Sequence, residues 1–312
     1  MDYIKYYLSG FLMGVADVVP GVSGGTIAFI LGIYKKLLSS ISYCVSPKFF
    51  KFLFKLDFKN SIFSKQVIFL ITLVGGMGTS ILALSGIIKN ALELYPEYVW
   101  SLFFGLVLAS IPFLLFTVKQ LKFRYIFIFF TFAILSFIFF GLSKIQFPEG
   151  NLYNFLAGAL ASTAMILPGI SGSFILVIIG KYDVVLEALH SRDLAFLSIF
   201  ITGAVVGVLS FSKILHYLLK KYYGTVIYIL AGLVAGALRV IYPFKKTINK
   251  EQWSVDAATD AINAEVLEIT LNYLPTQLSK EVIISLCLMV LGFIIVFLLN
   301  IFGSTKKDIR FI

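Results

Sequence analysis

Asp17-Val18-Val19-Pro20-Gly21-Val22-Ser23-Gly24-Gly25-Thr26 stands in the middle of one apolar run, and Leu167-Pro168-Gly169-Ile170-Ser171-Gly172-Ser173 stands in the middle of another. Setting Gly10 to Tyr34 against Gly158 to Tyr182 without a gap matches Gly10/Gly158, Leu12/Leu160, Ala16/Ala164, Pro20/Pro168, Gly21/Gly169, Ser23/Ser171, Gly24/Gly172, Ile27/Ile175, Gly32/Gly180 and Tyr34/Tyr182. Self-similarity at a fixed offset marks a duplicated architecture. A fainter echo sets Gly105 to Ser110 against Gly232 to Ala237. Proline lacks a donor and glycine tolerates turns, so both runs are broken helices. The chain is thus two halves, 1–150 and 151–312.

The surroundings of these breaks are those of a membrane. The chain has 312 residues, 59% of them hydrophobic and 13% charged, where charged residues make up about a quarter of a soluble domain. Mean hydropathy is +0.96. The net charge of +10 comes from lysines in short segments between apolar runs, which suits the positive-inside bias and anionic membrane lipids rather than nucleic acid. Cys44, Cys287, His190 and His216 share no ligand spacing, so no metal or other cofactor is expected.

Six segments have the roughly 20 apolar residues that a hydrocarbon core requires: 67–88, 98–118, 124–143, 194–219, 224–242 and 282–303. The broken runs, 8–34 and 152–182, are expected as re-entrant hairpins, since a half of about 12 residues rises only about 18 Å. Three crossings plus a hairpin make an odd unit, which inverts the second copy; four crossings would leave it parallel. Lysine and arginine counts alone do not choose, whereas including the acids favours re-entrance. The expected fold is an all-α polytopic membrane protein of two inverted repeats, each a re-entrant broken-helix hairpin plus three transmembrane helices. The location expected for it is the bacterial cytoplasmic (inner) membrane, with both termini cytoplasmic. Segment 35–66 carries Lys48, Lys51, Lys55 and Lys59 within an arc of about 80° and is expected on the inner leaflet. Segment 244–281 is expected outside, with one amphipathic helix from Ser254 to Leu274 ended by Pro275.

A Gly-rich turn opening a helix offers unpaired N–H groups to an anion. Ser23, Gly24, Gly25 and Thr26 open one such half-helix, and Ser171, Gly172 and Ser173 open the other. Inversion would bring both to one point near the midplane. Asp17 is the acid inside an apolar run, with Met165 as its counterpart. An intramembrane carboxylate points to coupling or gating, against the plainer role of capping the break. Arg239 lies four residues before Pro243 and is placed to offer a planar fork to a phosphate, against simple snorkelling. Gly10/Gly14, Gly203/Gly207 and Gly232/Gly236 permit close helix approach. They are expected to pack the halves together, a homodimer face being the other use.

At these residues the chain resembles the prokaryotic polyprenyl-phosphate transporters, long a domain of unknown function, over nearly its whole length. The stretches carrying the resemblance are Asp17 to Thr26, Leu167 to Ser173 and Gly232 to Pro243. The third departs from the pattern with Ala237 where serine is usual and Ile241-Tyr242 where Leu-Trp is usual. The resemblance implies a non-enzymatic activity, the translocation of undecaprenyl phosphate from outer to inner leaflet for recycling in cell-envelope synthesis. Residues alone leave a small-anion channel or exchanger open. They also leave a membrane lipid-phosphate enzyme, which would want a histidine beside a nucleophile, and neither His190 nor His216 is near a Ser-Gly motif.

Overall fold

The computed structural model describes residues 2–19, 22–58, 61–141, 147–256 and 261–303. The expectations for Pro20, Gly21, Lys59 and the C-terminal tail fall outside them.

The first half opens with α1 (Asp2–Val18), which ends two residues before Pro20, where a helix cannot readily continue. After the break come α2 (Gly24–Ile30) and α3 (Tyr34–Cys44), bent by 120° to each other. The bend falls at Gly32, whose φ of +70° is a left-handed conformation that glycine adopts without a Cβ penalty. The short α4 (Pro47–Phe54) follows, and then α5 (Lys65–Leu94), α6 (Pro96–Phe116) and α7 (Phe123–Phe139).

The second half runs through the same order: α8 (Asn151–Ile166), α9 (Gly172–Ile178), α10 (Tyr182–Ser191), α11 (Leu194–Lys221) and α12 (Tyr223–Ile241). Gly180, with φ +68°, takes the place of Gly32. An antiparallel ribbon of β1 (Lys245–Asp256) and β2 (Ala261–Asn272) precedes α13 (Lys280–Gly303). Five of these helices are long and apolar enough to cross a membrane, and α7 is a shorter apolar helix. The protein is an all-α polytopic membrane protein apart from the ribbon.

Backbone contact between small residues holds the helix pairs, as expected where lipid is as apolar as leucine and packing must supply the attraction. A Cβ on Gly10 would lie 2.0 Å from the Leu73 carbonyl oxygen, and one on Gly76 would lie 2.1 Å from that of Tyr7. The same contacts recur in the second half, Gly158 against Phe200 at 2.1 Å and Gly203 against Phe155 at 2.0 Å. Even the glycine and serine that meet exchange places: Gly14 abuts Ser80, and Gly207 abuts Ser162. Both pairs, α1 with α5 and α8 with α11, are parallel, because contacts advance along both helices together.

The remaining large contacts join the halves. Gly224, Gly232 and Gly236 of α12 lie against Tyr125, Phe129 and Ser136 of α7, a third parallel pair. Gly105 of α6 lies against Met289 of α13, and Gly292 against Leu102. Thus Gly232/Gly236 do pack half on half, whereas Gly10/Gly14 and Gly203/Gly207 pack within their own half, correcting the expectation for those two pairs.

Three further expectations change. The opening arm of each broken run is longer than half a hairpin, 17 residues in α1 and 16 in α8, and the arm after the break is only seven. Within segment 35–66, α3 is no interfacial helix: Leu38 is fully buried, in one core with Leu215 and Leu219 of α11. In α4 and its flank, Lys48, Lys51 and Lys55 are exposed beside exposed Phe50 and Phe54. Residues 261–272 form a strand, not part of a Ser254–Leu274 helix. Their β-branched Ile262, Val266, Ile269 and Thr270 suit a pleated ribbon better than a helix, and β1 supplies the partner.

Candidate functional site

The two breaks meet. Ser23 caps α2 through its own hydroxyl, which accepts from the Gly25 N–H at 3.1 Å. That hydroxyl also points its proton at the carbonyl oxygens of Leu167 (3.3 Å) and Met165 (3.4 Å). Thr26, fully buried, accepts from the Gly169 N–H at 2.8 Å. Tyr34 donates to the Ile166 carbonyl at 2.9 Å. The orphan carbonyls at the end of α8 and one N–H of the turn behind it are therefore satisfied by side chains from the other half. In an apolar surrounding each such group left alone would cost several kcal/mol, on the order of 2 to 7.

Close approach makes this possible. A Cβ on Gly25 would lie 2.9 Å from the Ile166 carbonyl oxygen, and one on Gly169 would lie 2.7 Å from the Cα of Val234 in α12. Gly169 also has φ +84°, which a side chain resists.

Asp17 occupies the opening of α2. Its Oδ1 accepts from the Gly24 N–H at 2.6 Å, and the missing Gly24 side chain leaves room for the carboxylate. With Gly25 N–H on Ser23 Oγ and Thr26 N–H on the Ser23 carbonyl at 2.9 Å, the donors expected to face an anion are engaged within the protein, one of them by a carboxylate. A seven-residue helix adds little dipole of its own, so what this end offers is local donors.

The second break is set differently. Ser171 begins α9 without a side-chain cap, and its hydroxyl pairs with that of Ser173 at 2.8 Å. Gly172 lies against the Ala161 carbonyl oxygen and the Met165 side chain.

Arg239 stands apart from the turns. It donates to the Phe137 carbonyl at 3.0 Å, lies 4.5 Å from the centre of the Phe137 ring and packs over Gly141. Asn272 donates to its main-chain carbonyl at 2.9 Å, tying the end of α12 to the ribbon. Lys245, just beyond α12, donates to the Val240 carbonyl and lies 4.4 Å from the centre of the Trp100 ring; burial pushes its ammonium down to about 8.

The structure therefore brings Asp17, Ser23, Gly24, Gly25 and Thr26 against the turn that leads into Ser171, Gly172 and Ser173, and leaves Arg239 on the α7 side of α12. Sequence reasoning missed Tyr34, although its match with Tyr182 was a signal.

The chain is similar to a family described as undecaprenyl phosphate translocase-like, whose model matches residues 13–259. It is 42% identical over 263 residues to a polyprenyl-phosphate transporter of Vibrio cholerae serotype O1, covering 84% of each chain. It is 31% identical over 270 residues to a polyprenyl-phosphate transporter of Staphylococcus aureus, covering 80% of this chain and 89% of that one. No solved structure matches it.

Proposed function

The chain belongs to the undecaprenyl phosphate translocase-like family, and from that premise we propose that it carries a polyprenyl phosphate across the bacterial cytoplasmic membrane. Undecaprenyl phosphate is taken from the outer leaflet to the inner one, for reuse in cell-envelope synthesis. The protein is a transporter, not an enzyme. The observation that carries this reading is the meeting of the start of α2 with the turn between α8 and α9 inside a helical bundle, where one N–H already holds a carboxylate.

In this account Ser23, Gly24, Gly25, Thr26, Ser171, Gly172 and Ser173 contact the phosphate through hydroxyl and N–H groups. Asp17 couples or gates the step: protonation removes the negative charge that repels an incoming anion beside the Gly24 N–H. Arg239 draws the headgroup in from the outer leaflet. One arm of its guanidinium is held by Phe137, which leaves further N–H groups of the fork for phosphate oxygens. A purified Arg239→Gln protein should bind a short-chain polyprenyl phosphate at least about tenfold more weakly, the lower end for truncating a charge contact, while Arg239→Lys keeps part of the affinity. Equal affinity for the parent and Arg239→Gln proteins, or equal affinity for the phosphate and the bare polyprenol, would remove this assignment.

The halves, 1–150 and 151–312, are proposed to be inverted repeats with re-entrant breaks. The parallel pairs support this. Since α1 and α5 are parallel, the chain between them returns to the side it left, and likewise for α8 and α11. Parallel α7 and α12, with α11 as the full span between them, leave no net crossing for α8 to α10. The face carrying Lys65, Lys119, Lys122, Lys220 and Lys221 is assigned to the cytoplasm by charge, and the ribbon to the outside. A cysteine at position 256, in protein lacking Cys44 and Cys287, should react with an impermeant thiol reagent from outside intact cells. Reaction from the cytoplasm alone would contradict the arrangement.

A further inference from the structure

The two breaks are equivalent in sequence but not in environment. Tyr34 is 2% exposed and bonded to the Ile166 carbonyl, whereas its counterpart Tyr182 is 36% exposed. The helices that follow differ in the same way. α3 packs against α5 of its own half and α11 of the other, with Leu38 fully buried. α10 packs on α9 and α11 of its own half, leaving Leu186 39% and Leu189 56% exposed. A cavity of about 200 Å³ lies beside it, lined by Val177, Gly180, Tyr182 and Asp183. One side of the molecule is sealed by a docked helix, and on the other side the equivalent helix is undocked.

We propose that this is one of two conformers related by exchange of roles between the halves, with Tyr34 and Tyr182 as the two latches. In the other conformer Tyr34 releases the Ile166 carbonyl and α3 leaves α11. Tyr182 then donates to the Val18 carbonyl, the equivalent of Ile166, and α10 docks against α5. The proposal rests on the inverted-repeat reading, under which the conformer described here is sealed on the cytoplasmic side and open to the outside.

The equivalence of the helix pairs is what makes the exchange sterically sound. The Gly10–Leu73 and Gly76–Tyr7 contacts map onto Gly158–Phe200 and Gly203–Phe155, so each half presents the same rigid pair to the other's mobile helix. The latches are unequal in strength. Thr26 holds Gly169, but its counterpart Phe174 has no hydroxyl to offer. Ser23 reaches across to Leu167 and Met165, while the Ser171 hydroxyl is engaged with Ser173. The conformer held by Tyr34, Thr26 and Ser23 together is therefore the resting one.

Thiol reactivity tests this without any transport measurement. In purified protein with Cys44→Ala and Cys287→Ala, a single cysteine is placed either at Leu38, buried here, or at Leu186, exposed here. Tyr34→Phe deletes one latch hydroxyl with little change of volume. It should raise labelling at position 38 and lower it at position 186, so that the ratio of the two changes by about fivefold, the factor that one net hydrogen bond supplies. Tyr182→Phe should change both in the opposite direction. No change, or a rise at both positions in either variant, would signify a structural tyrosine and overturn the proposal. Opposite changes with no movement of polyprenyl phosphate would keep the latch and remove the lipid assignment; lipid movement without them would do the reverse.

Discussion

Gly24→Val and Gly172→Val proteins should fold, enter the membrane and carry no polyprenyl phosphate. The reason differs at the two sites. At Gly24 an added Cβ would come within 2.6 Å of Asp17 Oδ2, so the carboxylate is pushed off the N–H that it caps, and the two γ-methyl groups fill the space a headgroup would need. At Gly172 the added atom would lie 2.6 Å from the Ala161 carbonyl oxygen and 2.7 Å from Met165. Backbone does not yield as a side chain does, so the start of α9 is displaced. Overpacking of this kind costs about 1–3 kcal/mol, enough to shift a turn within an assembly whose long helix pairs remain intact. Gly78→Ala is the control: nothing lies within 4 Å of an added Cβ there, and transport should be unchanged. Yield and melting temperature close to the parent's, together with lost transport, would meet the expectation. Normal transport by both valine variants would take the phosphate site away from these turns.

The second large effect is expected at Asp17. Asparagine keeps the shape and the carbonyl oxygen that accepts from Gly24 N–H, so Asp17→Asn preserves the cap and removes only the charge and the titratable proton. If Asp17 couples transport to an ion gradient, the variant should bind lipid much as the parent does and lose its response to the gradient. Asp17→Ala should do more, because a buried N–H left without a partner costs about 1–3 kcal/mol. The measurement is lipid movement in vesicles with and without an imposed proton or sodium gradient. A gradient response equal to the parent's in Asp17→Asn would make the carboxylate a cap and nothing else.

Much of this architecture was legible because the constraints that built it are local. Pro20 and Pro168 cannot donate, Gly32 and Gly180 turn with positive φ, and such constraints survive in a duplicated sequence where ordinary apolar positions drift. The boundaries were less legible: α1 extends back to Asp2, with Lys5 exposed on it. Periodicity within Ser254–Leu274 taken alone suits an amphipathic helix, whereas the partner that makes 261–272 a strand begins at Lys245, outside that window. The inequality of Tyr34 and Tyr182 could not be read at all. A repeated sequence describes both halves alike, and only a folded conformer chooses which latch is closed. Arg239 was visible as an unusual residue, but its hold on the Phe137 carbonyl depends on α7 and α12 being neighbours across the halves.

The proposed activity is the movement of a phosphate-bearing polyprenyl lipid between leaflets. Purified protein is reconstituted into liposomes whose outer leaflet contains a fluorescent short-chain polyprenyl phosphate, and the fraction protected from an impermeant quencher is followed in time. The account predicts protection that grows faster than in protein-free vesicles and in vesicles containing the Gly24→Val protein, with no acceleration for the matching polyprenol. Protein that releases trapped chloride or acetate from the same vesicles while leaving the labelled lipid in its original leaflet would contradict it.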